Sequence, residues 1–527
     1  MVYCYVSLIF WSFSMVKTAL YILMGNLLLL NLCAAENTAE KFVRYADFGA
    51  KGDGKTDDQA AIVAAHNYAN QNKLPVKAEK NARYYIGSGS KAAIIRTDTD
   101  FNHASFIIDD RNAENYLQPI FLLEPDTPNS KLKTLKRLKK NQSKLNMTFP
   151  GRVLLLLQSN KQFRFNRLRS NRPVQKSPQR DIIIVDKHGV IDKKTPLLWD
   201  FNSFTECAVH YIPEKTITVK NGTFITITNS KDDKDCYLAR NISVKRSNVV
   251  FDNIVHQTKE TPAQHRYMAG GFLAIRDCAD ITVKNSAFTG DRRYPMVKYP
   301  ASRSGGYDLT LWRAANVKFI NCRQLNDIYD SNFWGIIGSN YCKNLFFDNC
   351  KFSRVDAHMG VYNATIKNCT LGHQGISVTG YGTLLVENTN IKSRYFINLR
   401  ADYGSFWQGR IIIRNCQFSQ LNVSKTQPVE LFGGVNTGKH DFGYTCYMPE
   451  TIEIDGLKIN DRRIGKKYTP IYLFANFNPQ YKSNSCKEQY PYIKTKTVTI
   501  KNLQSNSKKI VTSINKFMFN QVKIVKK

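Results

Sequence analysis

The chain has 527 residues, 43% of them hydrophobic and 22% charged, and Lys plus Arg outnumber Asp plus Glu by 75 to 42, a formal net charge of +33. That length and apolar content supply a large core and exclude a disordered chain. The charge points to a polyanionic partner; with no aromatic interleaving or nucleic-acid motif among the basic residues, an acidic polysaccharide is expected and nucleic acid is not.

In chain order, Met15-Val16-Lys17, the apolar run TALYILMGNLLLLNL and the small residues Cys33-Ala34-Ala35 read as an export signal over residues 1–35. The mature chain is therefore expected to be secreted or periplasmic, a monomer without a transmembrane span, with Cys33 leaving a lipid anchor at the cell surface open. Residues 36–82 read as an N-terminal cap, in which Thr56-Asp57-Asp58 supplies N-capping and acidic first-turn residues for an amphipathic helix through AAIVAAHNYA. From residue 83 to about 470 the chain is expected to run as a solenoid. RVLLLLQ and DIIIVD read as strands at its start, and a basic excursion at 131–180 holds 15 Lys or Arg and no Asp or Glu.

The solenoid reading rests on a returning phrase: an apolar alternation, then Asn, then another apolar or small residue. It ends strands at Asn221, Asn253, Asn285, Asn321, Asn349, Asn368, Asn388, Asn415 and Asn502. Period-two alternation means a strand, and Asn tolerates the left-handed backbone of a sharp bend. Units this short cannot bury their own apolar faces and must stack, which predicts an all-β, right-handed parallel β-helix. Its regular part spans about Asp181 to Asn460, and 471–527 supply the last coils and a C-terminal cap. Cys322, Cys350, Cys369 and Cys416 each follow a ladder Asn and read as a column of buried thiols. Cys446 and Cys486 fall outside that phase and could pair.

The run from Asp47 to Asp58, DFGAKGDGKTDD, resembles the opening signature of the pectate-lyase superfamily, which includes polygalacturonases and phage tailspikes. The resemblance implies a capping segment, not an active site. A second stretch, Gly372-His373-Gln374-Gly375-Ile376-Ser377-Val378-Thr379, is similar to the polygalacturonase Gly-His-Gly-Ile-Ser segment. There the resemblance implies a preceding Asp pair and a following Arg-Ile-Lys. Here Val355 stands beside Asp356 in place of one partner of the pair, and Arg400 stands alone.

Aligning the strands on Gly335, Gly360, Gly375 and Phe396 puts Phe333, His358, His373 and Arg394 in one phase, beside Asp356, Tyr362, Asn398 and Arg400. Convergent His and Arg suit β-elimination from a uronic-acid polymer, such as a glycosaminoglycan. Arg394 or Arg400 neutralises the carboxylate, His358 or His373 takes the adjacent proton, and Tyr362 or the other His protonates the leaving oxygen. His265, Arg266, Arg292, Arg293 and Arg303 are expected on loops at the cleft edge, with Asn398 and Trp334 contacting sugar. The competing readings are an inverting glycoside hydrolase using Asp356 with Asp327 or Asp330, and a non-catalytic glycan-binding β-helix. No cofactor is required by the lyase reading; Asp327, Asp330 and Asp356 could hold Ca2+ if it replaced an Arg.

Overall fold

The computed structural model describes residues 41–527, apart from the segments 168–173, 229–238, 260–269, 296–302, 422–427, 435–443, 461–469 and 484–492 and positions 90, 405, 478, 480, 481 and 508. The segment 1–35, with Cys33, and Cys486 lie outside the described residues. Among the described residues, no helix is long and apolar enough to cross a membrane.

The helix α1 (Gln59–Asn72) buries Ile62, Ala65, His66 and Ala69 against the first strands. Asp58 does not cap it as expected. Its carboxylate accepts from the backbone N–H groups of Lys51 (2.6 Å) and Gly52 (3.1 Å), pinning the Gly-Asp-Gly turn, and Asp57 reaches the Gln59 N–H instead.

The chain winds as a parallel β-helix, one sheet of parallel strands in which each coil pairs with the next; its first coils, with Arg83–Ile86, Ala93–Ile95, Ser105–Asp109 and Phe121–Leu123, precede the basic excursion, and Ile217–Ile227 resumes the winding on them. One core row can be followed strand by strand: Val219, Phe251, Val283, Phe319, Phe347, Ile366, Val386, Ile413, Ile454 and Ile500. All are buried. The ladder Asn residues, from Asn221 to Asn502, have φ between 48° and 60°, the left-handed region that Asn occupies at lower cost than other non-Gly residues. Their amides bond along the stack, Asn349 Nδ2 donating to Asn321 Oδ1 (2.9 Å) and Asn388 Nδ2 to Asn368 Oδ1 (3.2 Å). Asn349→Ala is therefore expected to cost about 1–2 kcal/mol through the strained φ, while Asn349→Gly stays close to wild type; the midpoint of denaturant unfolding checks both.

Two Asn columns bend each coil, the stretch of strand before them forming its first face and the stretch between them its second. The Asn349 row marks one bend; the other is a second Asn column, Asn316, Asn344 and Asn363, also at positive φ and linked by Asn344 Nδ2 to Asn316 Oδ1 at 2.9 Å. Each member stands five residues before a ladder Asn, a spacing visible in the chain but overlooked when only strand-ending Asn residues are sought. Cys322, Cys350, Cys369 and Cys416 are buried free thiols just inside the ladder bend. Cys350 and Cys369 touch, the Cys350 N–H lying 3.4 Å from Cys369 Sγ.

The basic excursion corrects the sequence reading. RVLLLLQ and DIIIVD are not solenoid strands: Val153–Phe163 and Pro178–Val185 pair antiparallel, and with Glu206–Tyr211 and Ser130–Lys131 they form a separate four-stranded sheet. One side of it, with Leu155, Leu157, Ile183, Phe201 and Val209, closes its own small core. The other, with Leu154, Leu156, Ile182 and Ile184, packs on Ala279 and Ala315 of the coils. Continuous apolar runs read as buried strands in either setting, because both faces are covered. A buried ion pair, Asp181 to Lys343 at 2.7 Å, fastens this module to the solenoid.

Candidate active site

The strand Lys351–Lys367 alternates its side chains, so Arg354, Asp356 and His358 project to one side of the first face. In the neighbouring coils Asp356 pairs with Gly338 before it and Ser377 after it, and Ser377 pairs with Asn398. Gly338 matters for what it lacks. A Cβ there would lie 2.8 Å from the Tyr307 ring, so glycine lets Tyr307 fold down onto Asp356.

Asp356 is fully buried and accepts from four side chains. Arg354 Nη2 lies 2.6 Å from Oδ2, Arg400 Nη1 bonds both oxygens at 2.6 and 2.8 Å, His358 Nε2 donates at 2.8 Å, and the Tyr307 hydroxyl donates to the same carboxylate. Arg400 continues to Asp402 through Nε (3.1 Å) and Nη2 (3.0 Å). Asp402 also receives Arg167 Nε at 2.8 Å, delivered by the hairpin of the antiparallel module. The short 3-10 turn Ala401–Tyr403, closed by Gly404 at φ 89°, lays the Tyr403 ring parallel to His358, centroids 6.0 Å apart. Trp334 lies under Arg354, its ring centroid 5.0 Å from the guanidinium carbon.

Burial opposes ionisation of Asp356, but Arg354, Arg400 and His358 outweigh it and hold the carboxyl well below the usual range. Asp402 is likewise held at about 2, Arg400 and Arg167 overcoming its desolvation. Burial lowers the His358 pKa, and Arg400 and Arg354 reinforce it against the pull of Asp356. His358 is thus neutral near pH 7, with Nε2–H donated to Asp356. Its Nδ1 has no partner among the described residues, and the side chain keeps 19% exposure. Burial raises the Tyr307 hydroxyl, and it raises Tyr403 to about 12, so both stay protonated. Three guanidiniums, Arg167, Arg354 and Arg400, face two carboxylates, Asp356 and Asp402, leaving one positive charge uncompensated.

The cluster thus brings together Asp356, His358 and Arg400, with Asn398 bonded to Ser377 (3.1 Å) and Trp334 at its edge. The alignment that stacked His358 on His373 was out of register, although its Gly375–Phe396 step agrees with the pairing of Ile376 with Ile397. Gly375 pairs with Arg354, not Gly360, so His358 is displaced by six residues from the assumed column. His373 is buried and bonds the Phe333 carbonyl through Nε2 at 2.9 Å, tying down the segment that carries Trp334. Arg394 is exposed, its guanidinium over the Tyr395 ring (4.9 Å). Tyr362 lies beneath the antiparallel module, 5.9 Å from Lys343 Nζ, among Trp199, Tyr381 and Phe165. Neither joins the cluster.

Asp327 and Asp330 accept the backbone N–H groups of Tyr329 and Asn332 in a turn, and Asp356 is saturated by cations and Tyr307. Among the described residues, no group of three or more His, Cys, Asp or Glu converges. Asp327, Asp330 and Asp356 thus form no Ca2+-holding group of that kind among the described residues. Arg293 lies 5.8 Å from the Trp334 ring and donates to the Ser331 carbonyl. The backbones of Arg292 and Arg303 lie in short strands pairing with Phe333 and Pro295; His265 and Arg266 fall outside the described residues. The sequence reading left out Arg354, Asp402, Tyr403 and Arg167, and gave Tyr307 no part in the cluster. The two-residue spacing of Arg354, Asp356 and His358 was the available signal for the first; nothing local announces Arg167.

No protein-family model matches the chain. A capsule KL64-specific depolymerase of a Klebsiella phage is 24% identical over 179 residues, 28% of this chain. The chain thus spans 17% of that curated relative's length. Among solved structures, the tailspike protein gp49 of Pseudomonas phage LKA1 is 12% identical with a TM-score of 0.47, covering 92% of this chain and 84% of that one. The Gp54 tailspike of Acinetobacter baumannii bacteriophage AP22, solved with A. baumannii capsular saccharide, is 9% identical with a TM-score of 0.41 over 92% and 79%. An exopolygalacturonase from Thermotoga maritima is 10% identical with a TM-score of 0.31 over 92% of each chain.

Proposed function

We propose that this protein is an exported enzyme that cleaves an acidic, uronic-acid-containing polysaccharide, of the capsular kind, by β-elimination. The observation that carries the reading is geometric: His358 Nε2 lies 2.8 Å from the buried Asp356, its Nδ1 is left without a partner among the described residues, and three guanidiniums face only two carboxylates beside it. His358 Nδ1 removes the proton on the carbon next to the substrate carboxylate. The released electron pair forms the carbon–carbon double bond and expels the glycosidic oxygen from the next carbon. That oxygen takes a proton from the Tyr403 hydroxyl, and the proton held on His358 then passes through water to Tyr403, restoring both groups. The surplus charge of Arg167, Arg354 and Arg400 stabilises the carboxylate as it gains electron density. The basic surface, and the capsule specificity named for the phage relative, support an anionic polymer as substrate.

The hydrolase reading needs one protonated carboxyl with a raised pKa. Asp356 and Asp402 are both held as anions, which weighs against it.

Incubation with polygalacturonate, hyaluronan and purified capsular polymers is expected to produce the ultraviolet absorbance of a conjugated double bond. Reducing ends released without that absorbance would overturn the elimination, and no cleavage of any uronic-acid polymer would leave a binding protein. The base assignment has its own signature. His358 loses function only when protonated, so kcat/KM should rise with pH and level off below about 6.5, the ordinary His value. His358→Ala should abolish the acid limb together with most turnover.

A further inference from the structure

A groove of about 810 Å3 runs along the second face of the coils, bounded by the antiparallel module, away from the Asp356 cluster. We propose that it is a second, non-cleaving site that holds another stretch of an anionic oligosaccharide; the identity of that ligand rests on the acidic-polymer reading above. Its floor is a single outward row in strict register: Thr282, Lys318, Phe346, Thr365 and Leu385. At the strand spacing of about 4.8 Å this row is about 19 Å long, which suits a run of several sugar rings over a single one. The Thr282 and Thr365 hydroxyls stand on either side of the half-buried Phe346 face, the mixture of polar and apolar surface that a sugar ring presents in return.

The charge of the groove selects the ligand. Arg152 is taken up by Asp280, and Asp192 accepts the backbone N–H of Lys194. Lys194, Lys318 and Arg410 line the groove, are exposed, and have no carboxylate within 4 Å among the described residues. Arg410 spends only Nε, on Thr383 Oγ1 at 3.1 Å. Three cations set along a polar trough fit carboxylates recurring along a glycan, and a neutral glycan leaves them without partners. Because the groove and the Asp356 cluster lie on different faces, one long polymer can engage both. Retention at the groove raises the local concentration of cleavable bonds.

Titration calorimetry on the full chain carrying His358→Ala, with size-defined oligogalacturonate and hyaluronan oligomers, reads the sites directly. Two bound oligomers per chain are expected, falling to one when Lys318→Glu and Phe346→Ala are added, with carboxyl-reduced oligomers lost from the groove. In the otherwise native chain the same pair should raise KM for long polymer about tenfold and leave turnover of short oligomers unchanged. An unchanged stoichiometry, equal binding of carboxyl-reduced oligomers, or a shift in sedimentation marking this face as an interface between copies would each overturn the proposal. If the Asp356 cluster binds no glycan, the count falls from one to none, which separates failure of that site from failure of this one.

Discussion

Asp356→Asn is expected to lower kcat on the order of 10²–10⁴-fold while the chain still binds polymer. The amide removes the charge that orients His358 Nε2–H, and it cannot accept four donors at once. Its NH2 must turn toward Arg354, Arg400 or His358, so a donor meets a donor. The same change leaves two guanidiniums, 6% and 7% exposed, without their shared counter-charge. Removing one partner of a buried ion pair costs about 3–5 kcal/mol. A fall in turnover with retained binding and an unchanged near-ultraviolet dichroism spectrum places the loss in the chemistry. Turnover within threefold of wild type would remove Asp356 from the mechanism. Acid should act on the native chain in the same direction. Asp356 and Asp402 have folded pKa values below their unfolded ones, so the stability they contribute is present above about pH 4 and is lost as pH falls toward their folded values.

Lys343→Met should destabilise by about 3–5 kcal/mol, because Asp181 is then buried without its cation. Asp181 already has a raised pKa, burial outweighing Lys343 and two backbone N–H donors, from Leu198 and Ile182. Without Lys343 its folded pKa rises further, above its unfolded value. The deficit against wild type should therefore be largest at neutral pH and shrink as pH falls through the variant's folded value to the wild-type chain's own, itself above 3.8. Replacing both residues, Asp181→Leu with Lys343→Met, should recover most of the loss, since an apolar pair at a buried joint is often neutral or better. Denaturant unfolding across pH checks both variants. The joint also serves the site, because the hairpin beyond Asp181 carries Phe165 and Arg167. Phe165, itself at φ 54°, sits where Gly360 leaves room: a Cβ at Gly360 would lie 2.5 Å from its ring. Loosening the joint should thus lower turnover to the level of Arg167→Ala, even where the solenoid stays folded.

The architecture was legible in the chain because a β-helix repeats one local requirement in every coil. An alternating run followed by a residue that tolerates positive φ is a backbone property, and Asn321, Asn349 and Asn368 announce it without reference to the rest of the molecule. The thiol column was readable for the same reason. Asp356 and His358 could be picked out as outward polar residues on a strand, and Arg400 as the charged residue directly after one.

Which of those residues meet was decided only by the tertiary structure. A period of two is blind to any even shift between neighbouring strands, so the six-residue slip that stacked His358 on His373 kept every side chain on its proper side and violated nothing in the pattern. The bulges that set the true register, between Phe352 and Arg354 and between Ala357 and Val361, depend on packing across coils. Arg167 is 235 residues from Asp402. It arrives because a separate antiparallel sheet, whose apolar runs look like solenoid strands, folds over the coils and is fastened there by a buried ion pair.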